Sequence, residues 1–101
     1  MKLLIITAIS EFDSDIKQML KQADVETFTG KEVKGYRNHS RDSIENSWFA
    51  SEITETESIL FYAFVKKEKA DKVFVLAEEF NKKQQTVSKI HAAVLNIEKS
   101  N

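Results

Sequence analysis

The sequence predicts an α+β domain of the ferredoxin-like class: a four-stranded antiparallel sheet with two helices on one face. Three observations predict it. Strand-like apolar runs and helix-period stripes succeed one another in the order β-α-β-β-α-β. The chain has 101 residues, the length of one domain, and shows no linker or low-complexity segment. Its strands also carry apolar residues on both faces, which places them inside layered structure.

Leu3 to Ile9 is nearly all apolar and β-branched, which predicts a central strand. The N-terminal run MKLLIITAIS superficially resembles a signal peptide. It is short and lacks a small-residue cleavage site, so it reads as that strand. Ser10, with Asp13 three residues later, has the spacing of a capping box at a helix start. Phe12, Ile16, Met19, Leu20 and Ala23 then recur at helical spacing, and Asp24 closes the helix. Val25 to Gly35 predicts the second strand, and residues 36–57 a polar excursion. Ser58 to Val65 is the third strand. Lys66 to Lys83 is the second helix, with Ala70, Val73, Phe74, Ala77 and Phe80 on its buried side. Lys89 to Ile97 is the last strand.

Composition excludes several classes. There are 15 basic and 16 acidic residues, for a net charge of −1, so nothing electrostatic argues for nucleic acid. There is no cysteine, hence no disulfide framework and no thiolate metal site. This suits a cytoplasmic location. No stretch approaches the roughly 20 apolar residues that span a bilayer, so no membrane insertion is expected.

In a two-layer domain, helices cover one sheet face and the other should turn polar. Here Ile59, Phe61, Ala63 and Val65 oppose Leu60, Tyr62 and Phe64. Leu3 and Ile5 oppose Leu4, Ile6 and Ala8, and Ala92 and Val94 oppose Ala93 and Leu95. An uncovered apolar face is not tolerated in a soluble monomer, so the open faces are expected to pack in an oligomer.

The stretch from Val25 to Ser40, VETFTGKEVKGYRNHS, carries a further pattern. Its Glu32-Val33-Lys34-Gly35-Tyr36 run resembles the second strand of PII signalling proteins, where a similar run leads into the T-loop. The order of elements over the whole chain is similar to that of the PII/CutA superfamily, and His91 to Ser100 resembles the closing strand of divergent PII-like proteins. The resemblance implies a homotrimer with its sheets packed inward. It implies a non-enzymatic regulator that binds a small effector in clefts between subunits. A mobile loop, here residues 36–57, would control a partner protein, with a membrane transporter as one candidate. The alternative within the same superfamily is a CutA-like trimer that binds a divalent metal.

One departure bears on the cofactor. In signalling PII proteins the turn before the last strand is a glycine-rich phosphate cradle, whose backbone approaches a polyphosphate closely. Asn81 to Ser88 contains no glycine, which argues against ATP or ADP in the standard mode.

The candidate site residues follow. Lys34, Arg37, His39 and Arg41 crowd the start of the excursion and suit an anion, or else form a solvated basic rim. In the resemblance Gly35 and the residues after it lie beside the ligand cleft, so Lys34, Gly35, Tyr36, Arg37 and Arg41 are the candidate ligand-binding set. Trp48 and Phe49 are an aromatic pair in polar sequence, suited to a partner surface or to folding back on the sheet. His39 and Glu52 are candidate ligands for a divalent ion, or ordinary loop charge. His91, among Ala92, Ala93 and Leu95, reads as a packed or interfacial histidine. No nucleophile–base–orienter set can be assembled, so no catalytic residue is assigned.

Overall fold

The computed structural model describes residues 1–38 and 53–101. Its elements are β1 (Lys2–Ile9), a 3-10 turn (Ser10–Phe12), α1 (Asp13–Gln22), β2 (Thr29–Asn38), β3 (Ile53–Val65), α2 (Lys67–Lys83) and β4 (His91–Asn96). The strands form one antiparallel sheet in the order β2-β3-β1-β4. This is the ferredoxin-like arrangement that the order of elements predicts. No helix among the described residues is long and apolar enough to cross a membrane.

The register explains the core. Leu4 pairs with Ala63, Ile6 with Phe61 and Ala8 with Ile59, so these residues share one face and all are buried. Against that face α1 packs Ile16, Met19 and Leu20, and α2 packs Ala70, Val73 and Ala77. The Phe12 and Phe80 rings meet edge to face at 4.9 Å, tying the start of α1 to the end of α2.

The start of α1 differs from the capping-box expectation. Ser10 opens the 3-10 turn, and no side chain caps either helical segment. That turn carries Phe12 into the core, and it takes Ser10 away from the N-cap position. Asp13 instead pairs with Lys17 one turn later, at 2.8 Å. The helix end behaves as expected. Asp24 adopts a left-handed conformation with φ 58. The Val25 amide bonds back to the Leu20 carbonyl at 2.9 Å and the Asp24 amide to Lys21 at 3.1 Å, a Schellman closure. Lys69 donates to the Asp24 carbonyl at 2.7 Å.

Val25 is therefore part of the helix closure and buried, not the first residue of a strand. β2 begins only at Thr29, where pairing with Tyr62 of β3 becomes available. Pairing also runs further than expected at the other end. Tyr36 faces Glu55, Arg37 faces Thr54 and Asn38 faces Ile53. The expected excursion over residues 36–57 thus opens and closes as a paired ribbon. Its remainder, residues 39–52, lies outside the described residues. Thr54, Thr56 and Tyr36 suit exposed strand, so nothing in the side chains stops the ladder at Gly35.

No element among the described residues covers the second sheet face. Leu3 sits between Phe64 and Leu95, and Ile5 between Tyr62 and Ala93. Phe64 is 57% exposed, Leu95 45% and Tyr62 41%, although all three stand in regular strand. The two-sided apolar pattern read from the sequence is therefore realised as a bare apolar surface.

Gly30 lies against the Phe61 ring. A Cβ there would stand 2.6 Å from Phe61 Cε1. Phe61 is a fully buried core side chain and has little room to retreat. Gly30→Ala is expected to destabilise the fold by about 1–3 kcal/mol, as overpacking does. Urea unfolding followed by circular dichroism measures it. An unchanged midpoint would show that Phe61 can yield.

Candidate functional site

The open face changes character along the strands. Beyond the apolar patch it turns polar, through Thr7, Ser58, Thr56 and Gly35. Here lies a cleft of about 590 Å³. Its β2 wall is Val33 to Arg37, and its other wall is Val87, Ser88 and Lys89 with His91 at the head of β4. Thr7, Ala8, Ile9, Thr56 and Ser58 form the floor between them. Among the described residues, no Asp or Glu lines the cleft.

Strand alternation sorts the β2 residues. Val33, Gly35 and Arg37 share the open face with Ser58, Thr56 and Thr54. Lys34 and Tyr36 point their side chains to the opposite face. There Lys34 Nζ donates to Glu55 Oε2 at 3.3 Å, an exposed pair of small energetic weight. Desolvation, the negative charge of Glu55 and a hydrogen bond to its carboxylate together raise the Tyr36 phenol above its usual value. Glu55 thus holds both neighbours on the back of the ribbon. Lys34 and Arg37, grouped by sequence as one anion seat, stand on opposite sides of one strand. They reach the cleft unequally.

Gly35 leaves bare backbone at the cleft. A Cβ there would meet Ser58 Oγ at 2.7 Å, and that hydroxyl now bonds to the Thr56 carbonyl at 3.3 Å. Arg37 makes no ion pair among the described residues.

The opposite wall is a loop shaped by side chains, not by glycine. Asn81, in the last turn of α2, donates from Nδ2 to the Ile90 carbonyl at 2.9 Å, and its Oδ1 accepts from the Ile90 amide at 2.8 Å. Lys89 Nζ donates to the Asn81 carbonyl at 3.1 Å. Gln84 Oε1 accepts from the Thr86 amide at 2.8 Å, and Gln84 Nε2 donates to the Ser88 carbonyl. The loop's polar groups are thus turned on one another, and the Thr86 amide is engaged inside it. Val87 stands at the rim, 92% exposed.

Of the residues expected to bind ligand, Lys34, Gly35, Tyr36 and Arg37 line this cleft. Arg41, the aromatic pair Trp48 and Phe49, and the metal candidates His39 and Glu52 lie outside the described residues. Among the described residues no group of three or more His, Asp or Glu side chains is placed to hold a metal ion. Sequence reasoning missed His91 as a cleft residue. The signal was its register with Thr7, which turns it to the open face, but the pairing is not visible before the sheet is built.

No protein-family model matches the sequence, and no curated protein matches it. Solved structures do match in fold. B. subtilis GlnK in complex with ATP is 19% identical, with a TM-score of 0.67, covering 93% of this chain and 80% of that one. CPII from Thiomonas intermedia K12, a nitrogen regulatory PII-like protein bound to ADP, AMP and bicarbonate, is 16% identical. Its TM-score is 0.59, with 95% of this chain and 92% of that one covered. The chain therefore has the fold of these PII-type structures.

Asn81 closes the loop wall with two reciprocal bonds to one backbone residue. Asn81→Ala would leave the partly buried Ile90 groups unpaired, at a cost of about 1–3 kcal/mol. Hydrogen exchange at the Ile90 amide should accelerate more than at the Leu4 amide. Equal acceleration at both would mean the change is global, and the loop is not separately latched.

Proposed function

We propose that this chain is a non-enzymatic, PII-like regulatory protein. It assembles as a homotrimer through the open sheet face, binds a small anionic effector in the adjoining cleft, and uses the segment between β2 and β3 to control a partner protein. The observation that carries the reading is the layout of the open face. An apolar half suited to covering by other copies runs into a polar cleft walled by the Val33–Arg37 stretch. The fold shared with GlnK and CPII supports it, and so does the EVKGY run.

The cleft favours a compact anion. Among the described residues its lining has no carboxylate, and Arg37 faces it, suited to a charge-assisted contact. The 81–88 loop has no glycine and its Thr86 amide is already bonded to Gln84, where a polyphosphate needs bare backbone with outward amides. The effector class is thus a nucleoside monophosphate or a smaller anion, and Mg-ATP binds weakly. The effector acts by favouring one arrangement of the 39–52 segment, with Arg41 on the ligand side and Trp48 and Phe49 offered to the partner. A membrane transporter is the partner class that the PII-like resemblance suggests.

Titration calorimetry with AMP and Mg-ATP tests the reading. AMP is expected to bind more tightly than Mg-ATP. Arg37→Ala should weaken AMP by about 1.5–3 kcal/mol, the worth of a lost charge-assisted contact, without changing the assembly mass. Mg-ATP binding tighter than AMP would overturn the ligand class. An unchanged AMP affinity in Arg37→Ala would remove Arg37 from the site.

A further inference from the structure

The cleft wall opposite β2 holds a titratable side chain that the reading above does not use. This inference rests on the cleft being an anion site. His91 opens β4, pairs with Thr7 of β1, and is exposed on the cleft side of the sheet. Arg37 lies on β2, at the far end of the same cleft.

The charges around His91 can be taken element by element. β1 offers Thr7 and Ile9 and no charge. β3 offers Thr56 and Ser58, again uncharged. From β2, Arg37 faces the cleft, while the Lys34 ammonium and the Tyr36 hydroxyl are both turned to Glu55 on the back of the ribbon. From the loop, the Lys89 ammonium is drawn off to the Asn81 carbonyl. Among the described residues, a protonated His91 therefore has no carboxylate in the cleft to neutralise it. Neutral imidazole offers one N–H donor, whereas the protonated ring offers two donors and a positive charge. Imidazole ordinarily makes this change between about pH 5 and pH 8.

We propose that His91 is a pH-dependent anion contact, so that the cleft binds its effector more tightly as pH falls. A bound anion favours the protonated ring, and the protonated ring favours the anion. Effector affinity and local pH are thereby linked at one residue, on the wall opposite the β2 run.

The test uses sulfate, which stays a dianion over the whole range, so that pH acts on the protein alone. Calorimetric titration of the full chain should show sulfate binding about tenfold tighter near pH 5.5 than near pH 8, the effect of a one-unit shift on binding. His91→Gln should flatten the profile at the weaker level. His91→Lys should hold the tighter level at both ends. The chain has only two histidines, and His39, in the basic cluster after β2, is the competing source of a pH step. In His39→Gln the step between about pH 5.5 and pH 8 should persist, whatever happens to the absolute affinity. A flat wild-type profile overturns this inference and leaves the cleft reading standing. A step that survives in His91→Gln, or vanishes in His39→Gln, also overturns it. No sulfate binding at any pH removes both the inference and the cleft reading.

Discussion

A sheet that is apolar on both faces, with helices on only one, sets the terms for the rest of the molecule. β1 shows the constraint most clearly. Leu4 and Ile6 are sealed beneath the helices, and Leu3 and Ile5 stand on the other side between Phe64, Tyr62, Ala93 and Leu95. The two described helices cover one face only, and an apolar face of this kind favours being covered, which in the proposed assembly other copies of the chain do. Covering it would turn an exposed liability into an interface. It would also bring the polar end of the same face, with its cleft, to the edge of that interface. In this account assembly and ligand binding are two consequences of one surface.

The cleft itself is assembled from unlike walls. β2 contributes residues in alternation, so Arg37 and Gly35 face inward while Lys34 and Tyr36 engage Glu55 behind. The opposing loop is held by Asn81 and Gln84. Glycine-rich phosphate loops gain their reach from missing side chains and outward amides. In this loop Gln84 takes up the Thr86 amide and Asn81 takes up the Ile90 amide. The two designs differ in what they offer a ligand, and the proposed preference for a compact anion rests on that difference.

Much of the fold was legible in the sequence, because its strongest signals are periodic. β1, the core stripe of α2 and the two-sided β3 follow from spacing alone. Asp24 marked the helix end correctly because few residues tolerate its conformation. The failures are local and physical. Ser10 had capping-box spacing, but burial of Phe12 imposed a 3-10 turn. Val25 has strand chemistry, but it closes the Schellman motif. The ribbon beyond Gly35 is polar and so has the sequence character of a loop, although exposed edge pairing needs no apolar side. In the site, the Lys34–Arg37 run was recognisable, while the division of its side chains between two faces was not. His91 was visible only as a residue in a strand, since its value depends on a partner in β1.

The account's central claim is that copies of this chain cover the open apolar face. Light scattering coupled to size exclusion tests it most directly. The account predicts about three times the 11.6 kDa chain mass for the wild-type protein, and a shift toward monomer when Phe64 is replaced by Glu. A wild-type protein that runs as a stable monomer at micromolar concentration would contradict the claim.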